Sequence, residues 1–321
     1  MVTLSFLRAR CLRPWPPWPG RPCAVTPREG TPVSAGPTVR RRRLGTELRR
    51  LREAHSLKLE DAADRLGLAP STLSRIETGK APTRSAYLTT MLDMYGVSDP
   101  SQRQVLAEMA REGHRKGWWA AYEDVLPTGF GVYVGLEAEA SALRVFEDAV
   151  VHGLLQTEEY ARAVMTAVRR RLSPDQIERL VRLRLQRQAL LTQENPPELW
   201  LILSESVIRR PVGGPALMCD QLAHLLEASQ WPNVTIQMLP LSTGAHAALG
   251  GPFCILQFPE RTDPDVVYAE GVAGHVYLEK EAEVRACAEA FDLLRADALS
   301  PPDTAEVIAT VRDEISGQLS Q

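Results

Sequence analysis

Cysteine is sparse in this chain of 321 residues: Cys11, Cys23, Cys219, Cys254 and Cys287 are odd in number and far apart, with no C-x-x-C pair. That spacing provides neither a disulfide framework nor a thiolate zinc site and fits a reducing compartment, so a cytoplasmic protein is expected. No run approaches the roughly 20 apolar residues of a membrane-spanning helix, and no membrane partner is expected. His55, His114, His152, His224, His246 and His275 fall in no H-E-x-x-H or H-x-x-x-H arrangement, so zinc hydrolysis lacks its ligands. A G-x-S-x-G elbow and a G-x-x-x-x-G-K-[ST] loop are also missing, which removes the easily recognised serine hydrolase and P-loop readings. No metal, no cofactor and no enzymatic activity are expected.

What is present is an uneven distribution of charge. The totals nearly balance, at 37 basic and 40 acidic residues, but residues 1–116 hold 21 basic and 11 acidic side chains while residues 117–321 hold 16 and 29. A basic front suits a module that meets phosphates, and an acidic back suits one that avoids them. The length fits two domains, a short one and a longer one.

Residues 1–38 carry Trp15-Pro16-Pro17-Trp18-Pro19-Gly20, scattered arginines and Glu29 as the only acid, without periodicity. Leu4, Phe6 and Leu7 precede Arg8, Arg10 and Arg13 and no long apolar run follows, the reverse of a secretory signal. The segment reads as a disordered basic arm or as a start assigned too far upstream. The second is preferred, with translation beginning near Val33 or Val39, because folding signals begin only at Arg40.

From Arg41 to Ala54, Leu44, Leu48 and Leu51 recur at intervals of four and three, on one face of a helix with the arginines outside. Lys58 to Leu66 forms a second helix with Leu59, Ala62, Ala63 and Leu66 inward, ended by Gly67. Pro70 starts a third, which continues from Ser71 to Thr78 with Leu73 and Ile76 facing inward. This is helix-turn-helix spacing: Ala63 where the two helices touch, Gly67 in the turn, Leu73 and Ile76 as anchors. A helical hairpin that merely packs in a core shows the same pattern, but the outward side chains argue against it. Ser71, Thr72 and Arg75 are candidate base contacts, with Arg75 able to pair bidentately with guanine or, alternatively, to touch phosphate only. Ser74, Lys80 and Arg84 are candidate phosphate contacts that set affinity and salt dependence. Thr83 is expected to cap a fourth helix through Tyr95, with Leu88, Met91, Leu92 and Tyr95 inside, and Gly96 closes it. Asp99-Pro100 starts a fifth to about His114, apolar at Val105, Leu106 and Met109.

The run Leu48-Arg49-Arg50-Leu51-Arg52-Glu53-Ala54, then Ala63, Gly67 and Ser71-Thr72-Leu73-Ser74-Arg75-Ile76-Glu77-Thr78-Gly79-Lys80, resembles the XRE/Cro-repressor class of helix-turn-helix domains over residues 40–97. The resemblance implies a lambda-repressor-like fold and makes Arg52 and Glu77 a structural pair. Pro70 departs from the family, whose members often place a base-reading polar side chain there; readout would then rest more on Ser71 and Arg75.

Past Trp118-Trp119 and Tyr122 the pattern turns to an α+β domain. Strands are expected at 142–151, 199–203, 234–239, 253–258 and 266–269, and helices at 157–168, 175–191, 215–228, 281–296 and 304–315. The runs Gly135-Leu136-Glu137-Ala138-Glu139-Ala140, Gly153-Leu154-Leu155-Gln156-Thr157, Arg210-Pro211-Val212-Gly213-Gly214 and Pro232-Asn233-Val234-Thr235-Ile236-Gln237 are similar to the long C-terminal domain attached to XRE repressors in actinobacteria, especially streptomycetes. That resemblance implies an antitoxin-like regulator whose partner is a small protein encoded by an adjacent gene, and no reaction. Glu137, Glu139 and Glu147 read as a solvated acidic face rather than an acid/base pair. Val212-Gly213-Gly214-Pro215 and the loop from Gly244 to Pro252 read as turns rather than anion cradles. The helix with Arg179, Arg182, Arg184 and Arg187 is expected to pack through its leucines and show its charge outward, to a partner or a dimer mate.

The expected organisation is multidomain: residues 1–38 outside any fold, a five-helix DNA-binding domain at 39–114, and a regulatory, partner-binding α+β domain at 115–317. The leading expectation is a dimeric repressor or activator on a double-stranded operator. A small-molecule-sensing repressor and, less favoured, a DNA-tethered enzyme remain as alternatives.

Overall fold

The computed structural model describes residues 39–113, 117–259 and 264–319. The proline-rich segment 1–38, with Cys11, Cys23 and the expected start near Val33, and His114 at the expected end of the fifth helix, lie outside those residues. Five helices come first: α1 Val39–Ala54, α2 Leu59–Arg65, α3 Pro70–Glu77, α4 Ser85–Met94 and α5 Pro100–Gly113. Their apolar stripes converge, with Leu44, Leu48, Ala62, Ala63, Leu73, Ile76, Leu88, Met91 and Leu106 in one buried cluster.

Two expectations about these helices fail. The N-cap of α4 is Arg84, with φ −66° and ψ 142°, and Thr83 is buried one residue earlier; the extended backbone that precedes a helix falls on Arg84, so the Thr83 hydroxyl is out of place for the cap. Val105 is 50% exposed, because α5 turns Leu106 and Ala110 inward at a spacing of four. The start of α5 is as the sequence indicates, with the Asp99 carboxylate accepting from the Ser101 and Gln102 amides at 3.2 and 3.1 Å.

The rest of the chain is organised on a six-stranded mixed sheet. In chain order it runs through a 3₁₀ turn at Trp118–Tyr122, α6 Phe130–Glu139, β1 Ala142–Glu147, α7 Glu158–Val168, α8 Pro174–Gln188, β2 Glu198–Ser204, α9 Glu205–Arg209 and α10 Pro215–Ala228. Then come β3 Val234–Leu239, β4 Phe253–Gln257, β5 Val266–Gly271, β6 Gly274–Leu278, α11 Glu281–Asp297 and α12 Pro301–Leu319. The strand order is β3-β2-β1-β4-β5-β6. β1, β2 and β3 pair in parallel, joined by helical crossovers as parallel pairing requires, and β4, β5 and β6 add antiparallel. Alternate residues divide the two faces. Leu143, Val145, Leu201, Ile236 and Leu256 pack with residues of α6, α7, α10 and α12, while Phe146, Ile202, Leu239, Ile255 and Val267 pack against Phe291 and Leu294 of α11.

The arginine-rich helix α8 does not show all its charge outward. Arg187 is 5% exposed and its Nε and Nη2 donate to the two carboxylate oxygens of Glu137 at 2.6 and 2.7 Å. Glu137, expected on a solvated face, is 1% exposed. Helical spacing explains both: Leu180, Leu183, Arg184 and Arg187 fall on one stripe, so the face that packs carries two guanidinia. Burial works against the charge on Arg187, but Glu137 overrides it and holds the guanidinium's pKa above its ordinary value. Phe130 and Tyr133 of α6 lie under the same guanidinium, each ring centre 5.3 Å from its carbon.

Removing one partner of such a pair strands a buried charge. Glu137→Leu is expected to cost about 3–5 kcal/mol in a denaturant titration, and the double variant Glu137→Leu/Arg187→Met to recover most of it. Equal losses in the single and double variants would show that the pair does not act as a unit.

Candidate nucleic-acid interface

α2 and α3 meet through a turn whose backbone reverses at Gly67, with φ +65°. The Leu68 amide closes the turn on the Ala63 carbonyl at 2.9 Å. Pro70 occupies the first turn of α3, where a missing amide costs nothing. Leu73 and Ile76 anchor the helix at 0% and 3% exposure, and Ala63 is wholly buried beneath it. The opposite side of α3 leaves Ser71, Thr72 and Arg75 exposed, with Ser74 half-buried between them. The Arg75 carbonyl accepts from the Ala81 amide at 2.9 Å, which folds the segment carrying Lys80 back onto the end of α3. Lys80 and Arg84 are both exposed there.

Glu77, the last residue of α3, ties the helix to α1. Arg52 Nε donates to Glu77 Oε1 at 2.7 Å and Nη2 to Oε2 at 2.9 Å, with both residues 6% exposed. Nη1 donates to the Leu57 carbonyl at 2.6 Å. The hydrogen bond to Glu77 raises the Arg52 pKa, and the residue is a fixed cation at any relevant pH. Behind the pair stands Tyr95, wholly buried, its hydroxyl pushed up to about 12 by burial and then by the nearby Glu77 charge.

Two glycines give α1 and α3 their close approach; the sequence reading named Gly79 only within the motif run and passed over Gly45. A Cβ on Gly45 would lie 2.5 Å from the Ile76 carbonyl oxygen and 2.6 Å from that of Glu77. A Cβ on Gly79, at φ +67°, would lie 2.7 Å from the Arg42 Cα. A glycine inside a helix costs about 1 kcal/mol relative to alanine and so calls for a packing reason. That was the available signal for Gly45.

The helices themselves are only mildly basic: residues 39–113 hold 14 basic and 10 acidic side chains. Much of the positive excess of residues 1–116 therefore lies outside the described helices. Several arginines here are also spent on local carboxylates, among them Arg50 on Glu47 and Arg103 on Asp93 at 2.7 and 2.8 Å. Arg75, Lys80 and Arg84 make no such ion pair among the described residues, which leaves their charge available to an external anion.

Two known family models match parts of the chain. A model described as a helix-turn-helix domain matches residues 43–106. A model described as a domain of unknown function (DUF5753) matches residues 130–310. No curated protein and no solved structure matches the chain. The helix-turn-helix match supports a DNA-binding regulator.

Glu77→Gln is expected to lose about 3–5 kcal/mol by leaving Arg52 unpaired in the core, read as the shift in a denaturation midpoint; a loss below 1 kcal/mol would show that Arg52 finds other partners. Gly45→Ala sets helix propensity, which favours alanine by about 1 kcal/mol, against a backbone clash that costs about 1–3 kcal/mol or more. The clash should win and Tm should fall. Gly317→Ala in α12, where an added Cβ meets nothing within 4 Å, should instead gain up to about 1 kcal/mol.

Proposed function

We infer that the chain, which belongs to the family described as a domain of unknown function (DUF5753), is a sequence-specific transcriptional regulator that sets α3 in the DNA major groove. The observation that carries this reading is the two-sidedness of α3 within the matched helix-turn-helix region. Leu73, Ile76 and Glu77 are locked inside while Ser71, Thr72 and Arg75 face solvent. The guanidinium of Arg75 reads guanine through O6 and N7, and Ser71 and Thr72 supply single hydrogen bonds to neighbouring base edges. Ser74, Lys80 and Arg84 hold phosphates.

The finer reading is an XRE-type, antitoxin-like repressor that works as a dimer on two half-sites in the cytoplasm. Its larger region dimerises and receives a small partner protein encoded by an adjacent gene. The resemblance of the larger region to the domain attached to streptomycete XRE repressors supports the partner; the affinity that two half-sites gain over one supports the dimer. The chain carries out no reaction in this reading, which rests on the missing nucleophile and metal motifs of the sequence. A second reading, in which the larger region senses a small molecule, is favoured by a cationic cleft beside Arg184.

Fluorescence anisotropy on the DNA upstream of the protein's own coding sequence, against random DNA and across a salt series, tests the core of the reading. Wild type should discriminate, and Arg75→Ala should lose about 1–3 kcal/mol of that discrimination. Lys80→Ala and Arg84→Ala should weaken both DNAs alike, each lowering the salt slope by about one. An Arg75→Ala variant that weakens both DNAs equally would make Arg75 a phosphate contact.

A further inference from the structure

Between α6, α7 and α8 lies a cleft whose walls are Phe130, Met165, Leu180 and Leu183 and whose floor is Arg184 and Arg187. Arg169 and Glu270 stand at its rim, 3.8 Å apart and both partly exposed. The two floor guanidinia are close neighbours: a Cβ on Gly153 would sit 3.5 Å from Arg184 Nε and 3.6 Å from Arg187 Nη2.

The local anions do not balance these cations. Glu137 gives both oxygens to Arg187. Glu270 accepts from the Tyr268 hydroxyl at 3.0 Å and faces Arg169. Arg184 has only the neutral amide oxygen of Gln156, at 2.6 Å from Nη1, while its Nε is sealed from solvent without a hydrogen-bond partner. Glu147 adds no charge at neutral pH, because burial and then the Asp148 charge push its carboxyl up to about 8. Burial and the Arg187 charge lower Arg184 to about 10, so it is still a cation. A guanidinium in a partly apolar cleft with no carboxylate bonded to it is costly unless an anion completes it.

We propose that this cleft binds a small organic oxyanion, a carboxylate or phosphate on a short apolar body, with Arg184 as its counter-ion and Phe130, Met165 and Leu183 around the body. The fork of Arg184 suits either head group, and the apolar walls distinguish an organic anion from an inorganic one. This goes beyond the reading of the chain as a DNA-binding regulator and stands independently of it, since occupancy needs no DNA.

The test is calorimetric titration of the full chain, without DNA, with hexanoate, hexyl phosphate, hexanol and inorganic phosphate. At least one of the two organic anions should bind saturably and at least tenfold more tightly than hexanol and inorganic phosphate; the tighter of the two identifies the head group. Arg184→Gln should weaken that anion at least tenfold, and Arg182→Gln, an exposed arginine on the same helix, should leave it unchanged. Met165→Trp fills the cleft while keeping Arg184 and should also abolish binding, which keeps the test decisive if Arg184→Gln fails to fold. Absence of saturable binding by both organic anions, equal affinity for hexanol, inorganic phosphate binding as tightly as either, or undiminished binding by folded Arg184→Gln would each overturn the proposal. Operator binding by the same preparations is scored separately, so a failed cleft and a failed regulator are distinguishable.

Discussion

A guanidinium and a carboxylate can leave water together only if each satisfies the other, and this chain uses that constraint twice. Arg52 with Glu77, and Arg187 with Glu137, are both bidentate and both almost wholly buried. The desolvation penalty of such pairs means that they add little net stability. What they add is position, because the planar fork accepts one arrangement of its partner. The first pair fixes the end of α3 against α1 and thereby the angle at which Arg75 is presented. The second fixes α8 against α6 and draws the neighbouring aromatic and polar side chains with it. Tyr133 lies under Arg187, and its hydroxyl is within hydrogen-bond distance of His152 Nε2, 3.3 Å away. Burial pushes that histidine down to about 4, so it is neutral where Arg187 is not.

The helix-turn-helix was legible because its signals are local. Leu44, Leu48, Leu51, Leu73 and Ile76 state their face by spacing alone, and Gly67 and Pro70 mark the turn by the backbone they permit. Central strands were legible for a related reason: in Val234 to Leu239 the apolar Val234, Ile236 and Met238 alternate with Thr235 and Gln237, the period of a strand. α6 escaped because Gly131 and Gly135 look like turn residues. Only the tertiary structure shows that they make room for Trp119, whose ring would come 2.9 Å from a Cβ on Gly135. β6 escaped because it is an edge strand with half-exposed His275, Val276 and Tyr277, and so carries no buried stripe. The inward arginines of α8 were hidden by a general expectation that charge faces water. Their spacing placed them with Leu180 and Leu183, but a partner 50 residues away in the sequence, Glu137, was needed to make burial tolerable.

The electrostatics of the two regions differ in kind. On the helix-turn-helix the net charge is small, so in the proposed reading recognition depends on where Arg75, Lys80 and Arg84 are held rather than on a broad positive field. In the larger region a net negative composition surrounds a local surplus of positive charge at Arg184. The acidic surroundings repel nucleic acid, whose many phosphates feel the whole surface. A single small anion inside the cleft is governed instead by the nearest charges, because its apolar walls leave those charges weakly screened.

A continuous series of contacts joins the cleft to α3. α6 contributes Phe130 to the cleft and Glu137 to Arg187, and it packs on α1. Its Glu139 opposes the effect of burial on Arg41, so the junction is electrostatic as well as steric. A further link, Arg42 to Glu279 at 3.1 Å, joins a largely buried arginine to a half-exposed glutamate. At Gly45 the backbone of α1 touches the last carbonyls of α3 with no side chain between them. α1 and α3 are therefore held together by direct backbone contact, whereas α6 meets α1 through side chains. Contiguity of this sort becomes coupling only if α6 has two stable positions relative to α1.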